Sequence, residues 1–365
     1  MRDLVHVSDM TREWWEGLYS RCRDIIARPG DYVDACKGKV LATLFYEPST
    51  RTNFSFQSAM QRLGGTVFGF SDPMGTSVAK GETLADTIRI AAAYSDTIVI
   101  RSPQEGAAAA SALYSDVPII NAGDGSHMHP TQTLADLTTI CEKRGAIGSL
   151  RVGLCGDLKY GRTVHSLVEA LASFPDISYT LISPTDLQLP PYMIADMERA
   201  GHDFVQTDSL ADAIAGLDVL YMTRVQRERF SDIADYDRLK DTYILTQAML
   251  AGAKPDLLIM HPLPRQKEIS PDVDGDPRAA YFEQARFGMF IRMALLLELT
   301  NMPRGAPPLP RGSVDSMCCN PACVTQSEFY LPQLISGGAA PRCMYCDSER
   351  IMTGGRWRVE GLRGE

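Results

Sequence analysis

Between Val40 and Met260 the chain alternates short apolar runs with longer stretches of helical pattern, and this alternation limits the fold more than any other feature. The runs are Val40–Phe45, Asp96–Ile100, Val117–Ile120, Arg151–Cys155, Ile177–Ile182, Val219–Met222 and Leu257–Met260. Strands separated by helices form parallel sheets covered on both faces, so an α/β architecture is expected. Helix punctuation agrees. Ser49 suits an N-cap and Gly64-Gly65 a stop. Pro130 suits a first helical position, with Gly145 as the end. A helix over 162–173 follows a glycine turn, and a long apolar helix over 282–299 ends before Pro303. With 365 residues the chain exceeds one ordinary core, so two or three domains are expected. The texture changes at the Pro/Gly-rich stretch 303–313, which reads as a linker. No internal repeat of solenoid spacing is present.

Composition removes several classes of function. At 45% hydrophobic and 22% charged residues, the chain is ordinary globular material. No window approaches the ~18 apolar residues of a membrane span. The opening segment Met1–His6 contains an acid and no apolar run, unlike a signal peptide, so a cytoplasmic location is expected. A net charge of −9 argues against a nucleic-acid partner. An acidic chain still binds small anions where a few Arg residues converge, so the placement of Arg matters more than the total.

That placement is not random. Glu47-Pro48-Ser49-Thr50-Arg51-Thr52 leads from a strand into a helix start, where unpaired N–H groups and the helix dipole favour a phosphate. Plain capping by Ser49, with Arg51 in solvent, explains that segment equally well when it is taken alone. Ser77 and Lys80 lie in a short polar loop able to close over an anion, or simply exposed. Arg101 directly follows the Ile98–Ile100 run, at a strand's carboxyl end, where open α/β sheets bind ligands. Gly123–Gln132 is a glycine-rich strand-to-helix turn in which His129 is able to donate to a carbonyl oxygen. Gln132, three residues on, is able to face the same ligand. Gly156–Arg162 lacks dinucleotide-type glycine spacing but carries an Arg to a helix start, suited to a carboxylate. Arg224 and Gln226 follow Val219–Met222, and the rigid loop His261-Pro262-Leu263-Pro264-Arg265 follows Leu257–Met260. Together Arg51, Arg101, Arg162 and Arg224 predict a cleft for substrates with several negative charges. There is no Ser–His–acid order, Gly-x-Ser-x-Gly elbow or Walker loop in this part, nor an acidic metal cluster.

Taken as whole motifs, Phe-Tyr-Glu-Pro-Ser-Thr-Arg-Thr, Lys-Gly-Glu-Thr, Gly-Asp-Gly-Ser-x-x-His-Pro-Thr-Gln, Gly-Asp-Leu-Lys-Tyr-Gly-Arg-Thr, Met-Thr-Arg-Val-Gln and His-Pro-Leu-Pro-Arg resemble the catalytic chains of the aspartate carbamoyltransferase family, in order, over 1–303. The resemblance implies a carbamoyl phosphate-binding domain over 1–128, completed by a returning helix 282–300, and an aspartate-binding domain over 129–281. It implies carbamoyl transfer from carbamoyl phosphate to L-aspartate, the committed step of pyrimidine synthesis, with no covalent intermediate and no catalytic cofactor. Ser49, Thr50, Arg51, Thr52 and Arg101 would hold the phosphate, and Thr52, Arg101 and His129 would polarise the carbamoyl carbonyl. Gln132, Leu263 and Pro264 would hold the carbamoyl amide. Arg162, Arg224 and Gln226 would take the carboxylates of aspartate. Ser77 and Lys80 match a loop that enters a neighbouring subunit's site, so a trimer or a multiple of trimers is expected. An ornithine-type enzyme would need a Cys-containing loop near Leu263 and an acidic amino-acid site. An inactive scaffold would lack competent residues at these positions.

Beyond the linker, 314–365 carries five cysteines within thirty residues. Cys318 and Cys323, then Cys343 and Cys346, make two pairs nineteen residues apart, the pattern of a structural Zn²⁺ site with four thiolate ligands. Cys319 is a spare. The other four cysteines, Cys22, Cys36, Cys141 and Cys155, are scattered and read as buried apolar residues. A fragment this small needs such a staple, and a small β-rich zinc domain is expected. These pairs resemble the zinc domain of the family's regulatory chain. The stretch between residues 303 and 318 leaves no room for that chain's effector domain, so assembly without nucleotide regulation is implied.

Overall fold

The computed structural model describes residues 2–225, 242–305, 309–313, 315–337 and 341–353. Two all-parallel sheets dominate. The first has strands β1 (Val40–Phe45), β2 (Thr66–Phe70), β3 (Thr97–Ser102) and β4 (Ile119–Asp124), in the order β2-β1-β3-β4. The second has β5 (Leu150–Cys155), β6 (Ile177–Ile182), β7 (Asp203–Thr207), β8 (Val219–Met222) and β9 (Leu258–Met260), in the order β7-β6-β5-β8-β9. Each strand order reverses once. In the first sheet the chain moves outward from β1 to β2 and returns on the other side as β3. In the second it moves from β5 through β6 to β7 and returns as β8. Those reversals, between β1 and β3 and between β5 and β8, open crevices at the carboxyl ends of the strands. In the first, Phe45 lies opposite Arg101.

The helices cover the sheets: α1 (Arg12–Ala27), α2 (Thr50–Arg62), α3 (Leu84–Tyr94), α4 (Ala107–Tyr114), α5 (Pro130–Arg144), α6 (Arg162–Leu171), α7 (Pro191–Arg199), the short α8 (Leu210–Ala213) and α9 (Tyr281–Leu299). Helix α9 packs on α5, α2 and α1. It therefore returns the end of the second body to the first and closes one apolar core running through both. Among the described residues, no helix is long and apolar enough to cross a membrane.

Four sequence expectations shift. Strands β2 and β7 lie outside the apolar runs because both are sheet edges with mostly exposed side chains, so neither needs a hydrophobic face. The run Val117–Ile120 extends as β4 to Asp124, since pairing with β3 carries its polar and glycine residues. The helix from Arg162 is regular only to Leu171. The stretch read as a plain linker is fastened at its start. Arg304 donates to the carbonyls of Ala92 (3.1 Å) and Ser95 (2.6 Å).

The C-terminal segment adds an antiparallel pair, β10 (Ser316–Cys318) and β11 (Ile351–Thr353). It packs on the first body, where Val324, Leu331 and Tyr345 share an apolar cluster with Leu84, Ile88 and Ala110 of α3 and α4. Backbone bonds from Glu105 N to Ala322 O and from Val324 N to Glu105 O, each 2.9 Å, fix the contact.

Candidate active site

The two crevices face one another across a cleft of about 390 Å³. On the first body, β1 delivers Glu47 and the start of α2. Ser49 is the N-cap residue by position, but its side chain makes no capping bond. The simple capping alternative therefore does not describe this helix start, and the hydroxyl is not spent on α2. Ser49, Thr50, Arg51 and Thr52 all line the cleft. Desolvation, and then the nearby Arg224, lower the pKa of the Arg51 guanidinium.

Arg101 extends from β3 and is 9% exposed. Its Nη1 donates to Ala122 O (3.3 Å), and its Nη2 meets Glu47 Oε1 (3.3 Å). Burial, followed by the Arg162 charge, pulls its pKa down to about 9. Arg162 arrives at the start of α6 from the second body. Its Nη1 donates to Gly125 O (2.6 Å) and lies 3.4 Å from Glu47 Oε2. One carboxylate thus holds two guanidinium groups together, and two cations face the cleft against one anion. The buried Nε of Arg101 has no hydrogen-bond partner among the described residues, so a donor remains available to a ligand.

Gly123 makes this close approach feasible. It sits at φ +112°, and a Cβ there would lie 3.2 Å from Arg101 Nη1 and from Arg162 Cζ. Any side chain would push against both guanidiniums.

His129 is 4% exposed. Burial, and then the charges of Arg162, Arg101 and Arg292, hold its pKa well below the usual imidazole value, so the ring is neutral at pH 7. Its backbone N donates to Ser166 Oγ (3.1 Å), and Thr131 Oγ1 lies 3.4 Å from Nδ1. A neutral imidazole whose Nδ1 accepts from the Thr131 hydroxyl carries its proton on Nε2, and His129 lines the cleft.

Behind Gln132 lies a group that sequence reasoning missed. Asp136 is fully buried. It accepts from Gln132 Nε2 (2.8 Å), Gln284 Nε2 (2.6 Å) and Tyr221 OH (2.9 Å), drawing together α5, α9 and β8. Burial raises its pKa to about 7 even though these three bonds and Arg292 act in the other direction. Gln284 Oε1 in turn accepts from His261 N (3.0 Å). His261 accepts from Leu263 N at Nδ1 (2.8 Å), and its Nε2 faces Glu268 Oε1 (2.9 Å). One buried carboxylate therefore positions both Gln132 and the 261–264 loop. Arg292 was missed as well. It lines the cleft, donates to Ser55 Oγ (2.9 Å) and Thr131 O (3.2 Å), and has its pKa lowered to about 10 by burial. The i, i+4 spacing of Gln132 and Asp136 on one helix was the available sequence signal. Gln284 and Arg292 sit in a mostly apolar helix and gave none.

The cleft collects Ser49, Thr50, Arg51, Thr52, Arg101, His129, Gln132, Arg162, Arg224, Leu263 and Pro264. It does not include Ser77 and Lys80. These lie exposed on the 3-10 turn Ser77–Lys80, outside the cleft of their own chain. Gln226 falls outside the described residues.

Away from the cleft, Cys318, Cys323, Cys343 and Cys346 are buried with their sulfurs within 4.8 Å of one another. Cys318 and Cys346 are 3.7 Å apart and Cys323 and Cys343 are 3.8 Å apart, too far for disulfides. Thr325 Oγ1 (3.2 Å) donates to Cys323 Sγ, and Asn320 N and Nδ2 (3.5 Å each) donate to Cys318 and Cys346. Four convergent sulfurs with donors directed at three of them are disposed to hold a metal ion. Cys319 is exposed and stands apart.

Comparisons with known proteins bear on the same region. Residues 2–142 match the family model "Aspartate/ornithine carbamoyltransferase, carbamoyl-P binding domain", and residues 149–299 match "Aspartate/ornithine carbamoyltransferase, Asp/Orn binding domain". The aspartate carbamoyltransferase catalytic subunit of Clostridium kluyveri is 50% identical over 298 residues, covering 82% of this chain and 97% of that protein. That of Clostridium novyi is 53% identical over the same shares. Among solved structures, the catalytic subunit of M. jannaschii aspartate transcarbamoylase aligns with TM-score 0.76 and 45% identity, over 82% of this chain and 98% of that one. Aspartate transcarbamoylase from Trypanosoma cruzi in complex with carbamoyl phosphate and aspartate aligns with TM-score 0.78 and 37% identity, over 82% and 96%.

Proposed function

The chain belongs to the aspartate/ornithine carbamoyltransferase family, and on that premise we propose how its residues carry out its reaction, the transfer of a carbamoyl group from carbamoyl phosphate to L-aspartate. The observation that carries the assignment of roles is the convergence of Arg51, Arg101, Arg162 and Arg224, beside Arg292, on one cleft that also contains a neutral His129.

Carbamoyl phosphate binds groups of both bodies. Its phosphate takes the N–H groups at the start of α2, the hydroxyls of Ser49, Thr50 and Thr52, and Arg51. Its carbonyl oxygen takes Thr52, Arg101 and His129 Nε2–H, while its amide takes Gln132 and the loop at Leu263 and Pro264. Arg162 and Arg224, with Gln226, hold the two carboxylates of aspartate, which places the amine against the carbamoyl carbon. Attack builds negative charge on the carbonyl oxygen and then on the departing phosphate. Fixed donors stabilise that charge without moving. The amine itself bonds to the carbamoyl carbon as the bond to phosphate breaks, so no side chain forms a covalent intermediate, and a phosphate oxygen accepts the amine proton. A neutral His129 suits this role, since it donates a hydrogen bond and adds no fourth charge beside Arg101, Arg162 and Arg292.

Ornithine as acceptor would place a cationic side chain among these guanidiniums, where Glu47 is the only carboxylate lining the cleft among the described residues. A phosphonate analogue joining the two substrates should compete with both. Failure to bind would overturn the aspartate assignment.

Three further readings accompany this one. Ser77 and Lys80 act in a neighbouring subunit's cleft, so the working unit is a trimer or a multiple of trimers. The domains divide at 128/129, with helix 282–300 completing the first. The C-terminal segment resembles the zinc domain of a regulatory chain and serves assembly without nucleotide regulation, in a cytoplasmic enzyme. Zn–S bonds of about 2.3 Å imply tetrahedral S···S separations near 3.8 Å. The 3.7 and 3.8 Å separations above support Cys318, Cys323, Cys343 and Cys346 as ligands of a structural Zn²⁺.

A further inference from the structure

We propose that His6, His127 and Asp347 form a second metal site, separate from the four cysteines, that takes a divalent first-row transition ion of the Zn²⁺ class and ties the C-terminal segment to the body carrying the active site.

The three ligand atoms come from three distant segments yet lie within 4.8 Å of one another. His127 Nε2 is 2.9 Å from Asp347 Oδ2, and His6 Nδ1 is 3.8 Å from the same oxygen. Metal–N and metal–O bonds of about 2.0–2.1 Å set neighbouring ligand atoms roughly 3.0–3.4 Å apart, and the observed separations bracket that range. Two imidazoles and one carboxylate are a borderline donor set, suited to Zn²⁺, Co²⁺ or Ni²⁺ rather than to Ca²⁺.

The second observation is how His127 is held. Its Nδ1 is 2.9 Å from Asp124 Oδ2. Asp124 is buried and is itself fixed by Gly106 N (2.7 Å), Asn121 Nδ2 (3.1 Å) and Met128 N (3.1 Å). A buried carboxylate on one ring nitrogen sets the tautomer and turns the other nitrogen outward, as the outer shell of a metal-binding histidine does. His6 is pinned too, since its backbone N donates to Asp9 Oδ2 (2.8 Å).

The location gives the site a purpose. Asp347 follows Cys346 directly, and His127 lies two residues before His129. An ion here joins the end of the cysteine cluster to the loop that presents His129, so docking of the C-terminal segment bears on the geometry of the cleft.

Cobalt titration of the full-length chain, stripped of metal under reducing conditions, tests this. The expected result is two equivalents of Co²⁺ per chain, one with an intense thiolate charge-transfer band and one with weak visible bands only. H6Q and D347N should each keep the thiolate band and weaken the other equivalent at least about tenfold. One equivalent in the unaltered chain, or a second equivalent indifferent to both substitutions, would overturn the proposal. Neither result depends on whether the catalytic assignment holds.

Discussion

Replacing Gly123 with alanine tests whether the two guanidiniums need their close approach. Two costs are separable. At φ +112° an L-residue is strained by about 1–3 kcal/mol wherever it sits. The new Cβ would also stand 3.2 Å from Arg101 Nη1 and Arg162 Cζ, against 3.4–4 Å for ordinary contact. Arg101 is tied to Ala122 O and Glu47, and Arg162 to Gly125 O, so neither retreats freely. A misplacement of ~1 Å costs on the order of 100-fold in rate, so a displacement of a few tenths of an ångström predicts a loss of about tenfold in kcat/KM, for both substrates. Gly145→Ala supplies the control. Gly145 also has a left-handed φ, +83°, but nothing lies within 4 Å of its added Cβ. It should lower Tm by a few degrees and leave kcat/KM alone. Steady-state kinetics and thermal unfolding on both variants decide the matter. If Gly123→Ala loses stability as Gly145→Ala does but retains full kcat/KM, the argument from crowding of Arg101 and Arg162 is wrong.

Asp136 makes a pH-dependent prediction. Burial raises its pKa from 3.8 to about 7, so across roughly pH 4–7 the folded chain keeps a proton that the unfolded chain has released. Stability therefore falls as pH rises through that window, by on the order of a few kcal/mol. Asp136→Asn should flatten the slope of urea midpoint against pH and lower kcat/KM by weakening the hold on Gln132. Chelation of the metal proposed for the four cysteines, or Cys343→Ser, should expose the C-terminal segment to limited proteolysis while residues 2–302 stay protected; unchanged digestion would overturn a structural role for a metal there. Lys80→Ala and Arg51→Ala chains should each be nearly inactive. Mixed one to one and reassembled, they should recover roughly a quarter of full activity, because each site then draws on two chains of a closed ring. No recovery would confine the site to one chain.

Much of the cleft was legible because its residues sit at strand ends. A strand's carboxyl end is marked by an apolar run giving way to Gly, Ser or Pro, and the cations placed just beyond, Arg101, Arg162 and Arg224, stand out. Asp136, Gln284 and Arg292 lie inside helices, where a polar residue among apolar ones reads as one turn of a surface. That they face each other across α5 and α9 depends on how those helices pack. Glu47 was visible, but its bridging of Arg101 and Arg162 was not, since these three residues come from two different sheets.

The linear chain itself determined the alternation of strand and helix, the Arg-bearing turns at strand ends and the grouping of Cys318 and Cys323 with Cys343 and Cys346, since each is written in local pattern and spacing. Tertiary structure alone decided which turns share a cleft, that His129 is neutral, that Asp136 holds Gln132, and that Ser77 and Lys80 stand outside the cleft of their own chain. Those properties arise from burial and from distances between residues far apart in sequence, and local spacing carries no information about either.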